Sequence, residues 1–189
     1  HLLRGNNLAL CTTRQVIDEF SHVLCTALPV DNSTLSAATR ERTKVFPLYL
    51  YPNPDKVTES PFAPGAGGRQ PNLNPAFVQA AARKLGMTFV PDGRGDCKHT
   101  FGPNDVFAYI YAILHSPAYR RRYGEFFKYD YPHIPLTHDK KLFRALSRKG
   151  RNLINLHLLR KSGLWTLMTG FIGTGSNLIE DTYPRYTEL

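Results

Sequence analysis

Residues 105–136 read DVFAYIYAILHSPAYRRRYGEFFKYDYPHIPL, and the way this run divides decides the fold. Val106, Phe107, Ile110, Ile113 and Leu114 cover most of a helical circumference, the mark of a buried helix. Pro103-Asn104-Asp105 opens that helix and His115 stands near its end. Ser116-Pro117 then restarts the chain, with serine as the cap and proline in the first helical position. The next helix is expected to run to about Lys128, carrying Tyr119, Tyr123, Phe126 and Phe127 as a packing stripe. Arg120, Arg121 and Arg122 face largely away from the stripe, and Pro132 and Pro135 close the unit. The block therefore reads as a structural corner more than as a basic-aromatic grip on nucleic acid.

Working outward, Asn74-Pro75 is a second cap-and-proline start. Phe77, Val78, Ala81 and Leu85 follow at helical spacing, and Gly86 sits where a C-terminal cap belongs. Thr137 or Asp139 caps a further helix with Leu142, Phe143, Leu146 and Ile154 on its apolar side. The N-terminal part has a different pattern. Residues 8–13, 20–28 and 45–51 are rich in β-formers, and Pro47 argues for an edge position or a bulge in the third. Residues 52–73 (PNPDKVTESPFAPGAGGRQPNL) are crowded with proline and glycine and carry no periodicity, so they read as a linker or surface loop. β character returns at 164–186. The expectation is an α+β fold in one domain of 189 residues. It comprises a β-rich subregion at 1–51, a linker at 52–73, about four helices within 74–160, and C-terminal strands at 164–186.

The chain carries 24 Lys+Arg against 15 Asp+Glu, a net charge of +9 that favours a polyanionic partner. No apolar run approaches the about 18–20 residues of a membrane span. Cys11, Cys25 and Cys97 form no CxxC pair, which argues against a disulfide scaffold or a four-cysteine zinc site. Cys11 and Cys25 fall in strand-like segments and read as small core residues, and a reduced, cytoplasmic setting fits. The chain opens on His1 rather than methionine and reads as a fragment of a longer polypeptide.

Signs of catalysis are weak. Gly173-Thr174-Gly175 lacks the third glycine and the lysine of nucleotide-binding loops and reads as a turn. The histidines form no HExxH pattern. Asp92, Asp96 and His99 flank glycines and read as solvated loop residues rather than a metal site. Cys97 and His99 could donate two ligands, which are too few for a metal. Glu180 and Asp181 lack the partner lysine of a nuclease carboxylate pair. Three function classes stay open from the residues alone: a DNA-binding module, a nucleic-acid-modifying enzyme or nuclease with a non-obvious metal site, and a basic protein-docking scaffold.

Several segments taken in order resemble one family. They are HLLRGNNLALCTTRQV at 1–16, FSHVLCTALPVD at 20–31, VFPLYLYP at 45–52, the 105–136 block and GSNLIEDTYPRY at 175–186. Together they resemble the C-terminal specificity domain of type ISP restriction–modification enzymes. In those single-chain enzymes a nuclease, a helicase-like motor, a methyltransferase and a target recognition domain follow in that order. The resemblance implies sequence-specific reading of double-stranded DNA, in defence against foreign DNA, with no catalytic residue in this chain. It further implies an upstream adenine methyltransferase domain as partner, no membrane, and no metal or cofactor here. S-adenosylmethionine, ATP and Mg are expected only in the upstream domains.

DNA recognition needs cations on phosphates to set register, and Arg, Lys, Asn or Gln on base edges to carry sequence information. The β-rich half supplies Arg14 and Gln15 at the end of the first strand, with the chemistry for guanine and adenine edges. Asn32, Arg40, Arg42 and Lys44 lie in or beside the following long loop, and Arg69 and Gln70 in the glycine-rich one. Arg144, Arg148, Lys149 and Arg151 make a helical basic cluster suited to phosphates, followed by Arg160 and Lys161. For each of these a solvated polar surface is the competing explanation.

Overall fold

The computed structural model describes residues 7–17, 19–36, 42–51 and 68–160. The fold is α+β, with strands mostly in the N-terminal part and helices in the C-terminal part. Residues 52–67 of the expected 52–73 linker, the strands at 164–186 with their glycine turn, Glu180, Asp181, Arg40 and Lys161 lie outside the described residues.

Strand β1 (Ala9–Thr12) is the centre of a three-stranded antiparallel sheet, between β2 (Val23–Thr26) and β3 (Lys44–Pro47). β2 alternates buried Val23 and Cys25 with exposed Leu24, the period of a strand with one face on the core. The strand expected over 45–51 is two strands. Pro47 ends β3, on a sheet edge where the missing N–H is tolerated. Leu48 then donates its N–H to the carbonyl of Leu8 at 2.7 Å. Beyond it β4 (Tyr49–Leu50) leaves the sheet to pair with β5 (Gln70–Pro71). The end of the proline-rich stretch is thus ordered as a strand. The turn is held by Asn7, whose side-chain amide donates to the Tyr49 carbonyl at 2.8 Å and accepts from the Tyr49 N–H at 3.1 Å. A buried side chain here stands in for a strand's backbone.

Helix α1 (Pro75–Leu85) begins as expected, with Asn74 accepting from the N–H of Ala76 at 2.8 Å, and ends on Gly86 at φ 55°. Between it and the next helix lies a pair not anticipated, β6 (Thr88–Phe89) parallel to β7 (Thr100–Phe101). Two residues per strand are too short to display a period. Helix α2 (Pro103–Leu114) is buried on most of its surface, and α3 (Pro117–Tyr123) starts on Ser116.

The helix expected to reach Lys128 instead ends at Tyr123, and a 3-10 turn follows at Phe126–Lys128. That turn directs Phe127 inward, 4.4 Å from the Phe20 ring centroid, and leaves Phe126 exposed rather than in the packing stripe. Of the three arginines, Arg121 and Arg122 are exposed, whereas Arg120 donates to the Leu114 carbonyl at the end of α2.

Helix α4 (Lys140–His157) opens on Asp139, whose carboxylate accepts from the N–H groups of Lys141 and Leu142. Phe143 and Ile154 face the core, while Leu142 is exposed, contrary to its expected place. The helix packs on α2, and its Ser147 hydroxyl donates to the Asp105 carbonyl at 3.2 Å. One apolar cluster links the sheet to the helices, from Val23 and Cys25 through Tyr111 and Leu114 to Phe143 and Ile154. Cys11 and Cys25 belong to this interior, where burial raises both thiol pKa values, that of Cys11 to about 11.

Candidate nucleic-acid interface

Two cationic grooves gather most of the described candidate residues. The first lies where β1 leaves the sheet. The register pairs Thr12 with Lys44, so the chain emerging at Arg14 and Gln15 runs past the start of β3. Val16 is buried and donates its N–H to the Phe127 carbonyl at 2.9 Å, which pins this exit to the 3-10 turn and brings Lys128 alongside. Arg14, Gln15, Arg42, Lys44 and Lys128 thereby line a groove of about 420 Å³. All five are exposed. Arg14 touches Asp130 at 3.4 Å, but both side chains are more than half exposed. A pair so wet holds the arginine only weakly.

The second groove, of about 930 Å³, runs along α4. Lys141, Arg144, Arg148 and Arg151 recur every three or four residues and share one stripe of the helix. Arg94, on the turn between β6 and β7, faces them across the groove. Beneath lies Asp105, a carboxylate with no exposure at all. One of its oxygens is 3.4 Å from the Arg151 guanidinium, and the other accepts from the N–H groups of Gly95 and Gly102 at 2.7 and 3.1 Å. This buried anion ties the Arg94 turn, the start of α2 and the arginine row together.

Asp96, at the groove's rim, accepts from the N–H groups of Lys98, His99 and Thr100, each at 2.8 Å. These bonds hold its carboxyl well below the usual range, the Thr100 N–H contributing most. It is thus the brace of a tight turn rather than a loosely solvated residue. Among the described residues no group of three or more His, Cys, Asp or Glu side chains could hold a metal, and no helix is long and apolar enough to cross a membrane.

The other candidates stand apart from these grooves. Lys149 is exposed but lies off the stripe of α4. Asn32 is exposed in a turn whose carbonyl accepts from Thr43 at 2.8 Å. Gln70 is half-buried in β5, opposite Leu50. Arg69 is locked: its guanidinium donates twice to Asp92, at 2.6 and 3.0 Å, and lies 4.1 Å from the Tyr49 ring centroid.

Three cations of the grooves escaped sequence reasoning. Lys141 could have been found, three residues before Arg144 on the same helical face. Arg94 had a weaker signal in its setting between glycines, and Lys128 had none, because it is long-range bonds, Val16 to the Phe127 carbonyl and the Gln15 amide to the Lys128 carbonyl, that bring it to the groove.

The sequence model of the type ISP C-terminal specificity domain matches residues 1–188. The chain belongs to that family. This specificity domain's role is DNA target recognition within restriction–modification enzymes rather than catalysis. Neither a curated protein nor a solved structure matches the chain.

Proposed function

We propose that this specificity domain reads duplex DNA as a single recognition unit and positions the target base for an adjoining adenine methyltransferase domain of the same polypeptide. The observation that carries the proposal is the division of cations between two differently built grooves. In the first, Arg14 and Gln15 project from a strand end as exposed side chains, each held by one long, solvent-exposed bond at 3.4 Å, to Asp130 and to the Lys128 carbonyl, that a base edge can replace. Arginine suits the paired acceptors of guanine, and glutamine the donor–acceptor edge of adenine. In the second, a helical row over a buried carboxylate presents charge at fixed spacing, which suits phosphates.

The division of labour gives each groove its own role. Phosphate contacts along α4 hold the duplex while the methyltransferase extrudes its base, a step that needs the flanking DNA kept in place. Base contacts from the Arg14 groove choose where that happens. S-adenosylmethionine, ATP and Mg act in the upstream domains of such an enzyme, and the chemistry is performed there.

Selection of tight binders from a randomised duplex pool, followed by titration of the selected and a scrambled duplex, tests this. Arg14→Ala is expected to narrow the difference between the two duplexes, and Arg148→Glu to weaken both alike. Equal losses on both duplexes for Arg14→Ala would remove base reading from the first groove.

A further inference from the structure

The 3-10 turn leaves two large rings in solvent, Phe126 at 70% and Tyr129 at 72% exposure. They border a pocket of about 310 Å³ whose walls include Tyr119, Tyr123 and Tyr131. The rings touch one another, with centroids 5.0 Å apart for Tyr119 and Tyr123 and 6.2 Å for Tyr123 and Phe126. Asp130 and His133 add polar atoms at the edge.

The pocket adjoins the first cationic groove. Lys128, which lines that groove, sits in sequence between Phe127 and Tyr129, which line the pocket. Arg14 of the groove meets Asp130 of the pocket at 3.4 Å. The Arg122 guanidinium stands 5.7 Å from the ring centroid of Tyr123, one of the pocket's walls. An aromatic pocket with cations beside it matches a ligand that is flat and apolar in its body and anionic at its attachment. A nucleotide out of its stack has that form, with the base stacking on rings and the phosphate on lysine or arginine. A base paired within a duplex cannot offer its face.

We propose that the pocket formed around Phe126 and Tyr129 receives a single extruded base of DNA whose backbone lies in the Arg14 groove. This rests on the reading of that groove as a DNA-binding surface. It adds a second kind of recognition, one that senses whether the duplex is locally open.

The test compares the chain's affinity for a fully paired duplex with that for the same duplex bearing one unpaired 2-aminopurine. The unpaired form is expected to bind about tenfold tighter, the scale of one base–aromatic stack, with quenching of the 2-aminopurine fluorescence. Phe126→Ala combined with Tyr129→Ala should erase both effects and leave fully paired binding intact. Both rings are largely solvent-exposed, so folding is preserved, and Phe126→Leu with Tyr129→Leu separates stacking from apolar bulk.

Equal affinity for the two duplexes overturns the proposal while leaving the groove's role in place. So does a preference that survives removal of both rings. If those variants instead lose only association with the methyltransferase domain, the pocket is a protein-docking surface and the proposal falls. Arg42→Glu should weaken both duplexes. Failure of the unaltered chain to bind either duplex would bring down the DNA reading and this inference together.

Discussion

Gly150 of α4 lies against the backbone carbonyl of Ala108 in α2, so close that a Cβ at position 150 would fall well inside 3.0 Å of that oxygen. Two opposing effects meet at this position. Alanine is favoured over glycine in a helix interior by about 1 kcal/mol. Overpacking a close approach costs about 1–3 kcal/mol, more where neither side can yield. Both partners here are helix backbone, so the clash wins. Gly150→Ala is expected to lower thermal stability by several degrees, visible in a melting curve followed by circular dichroism.

Tyr49 gives a second stability prediction. Its buried hydroxyl donates to Asn104 at 2.7 Å and accepts from the Gly93 N–H at 2.9 Å. Burial is the main reason that its pKa is pushed up to about 12. Tyr49→Phe keeps the ring under Arg69 but strands both partners, at a cost of about 1–3 kcal/mol. Urea denaturation should show a lower midpoint with an unchanged m-value.

The α4 row should reveal itself in the response to salt. Binding that neutralises one phosphate fewer has a slope of log affinity against log salt that is shallower by about 0.9. Arg144→Gln and Arg148→Gln should each flatten that slope by about this amount on any duplex. Lys149→Gln, off the stripe, should leave it unchanged. Fluorescence anisotropy across a salt series measures all three.

His115 makes stability depend on pH. Burial, reinforced by the nearby Arg120 and His157, lowers its pKa to about 4, against about 6.5 unfolded. The folded state therefore binds fewer protons between these values. Stability is full above about pH 6.5 and declines on acidification until about pH 4, by about 1–3 kcal/mol. His115→Gln should flatten the dependence of Tm on pH across that window.

The parts of the fold legible from sequence were those written in short range. Asn74, Ser116 and Asp139 each announce a helix through chemistry with the next few residues, and the β-formers of 8–13 and 20–28 reveal β1 and β2. What stayed hidden needed distant partners. The β6–β7 pair is too short to show a period, and Phe126 shares the letters of Phe127 but not its direction. The site followed the same rule. Arg144, Arg148 and Arg151 were legible because one helix spaces them. The meeting of Arg14 with Arg42 and Lys44 depends on the pairing of β1 with β3, and Asp105 beneath its groove looks in sequence like any first-turn acid.

The close approach of Gly150 to Ala108 also bears on how DNA would be gauged. A helix pressed backbone to backbone cannot turn about its axis, so the row from Arg144 to Arg151 keeps a fixed length of about 10 Å. When a stiff ruler meets a deformable rod, any mismatch in spacing is taken up by the rod. The cost of that adjustment varies with the local stiffness of the base steps. The α4 row would then add a preference that follows stiffness alone, touching no base and treating two equally stiff duplexes alike.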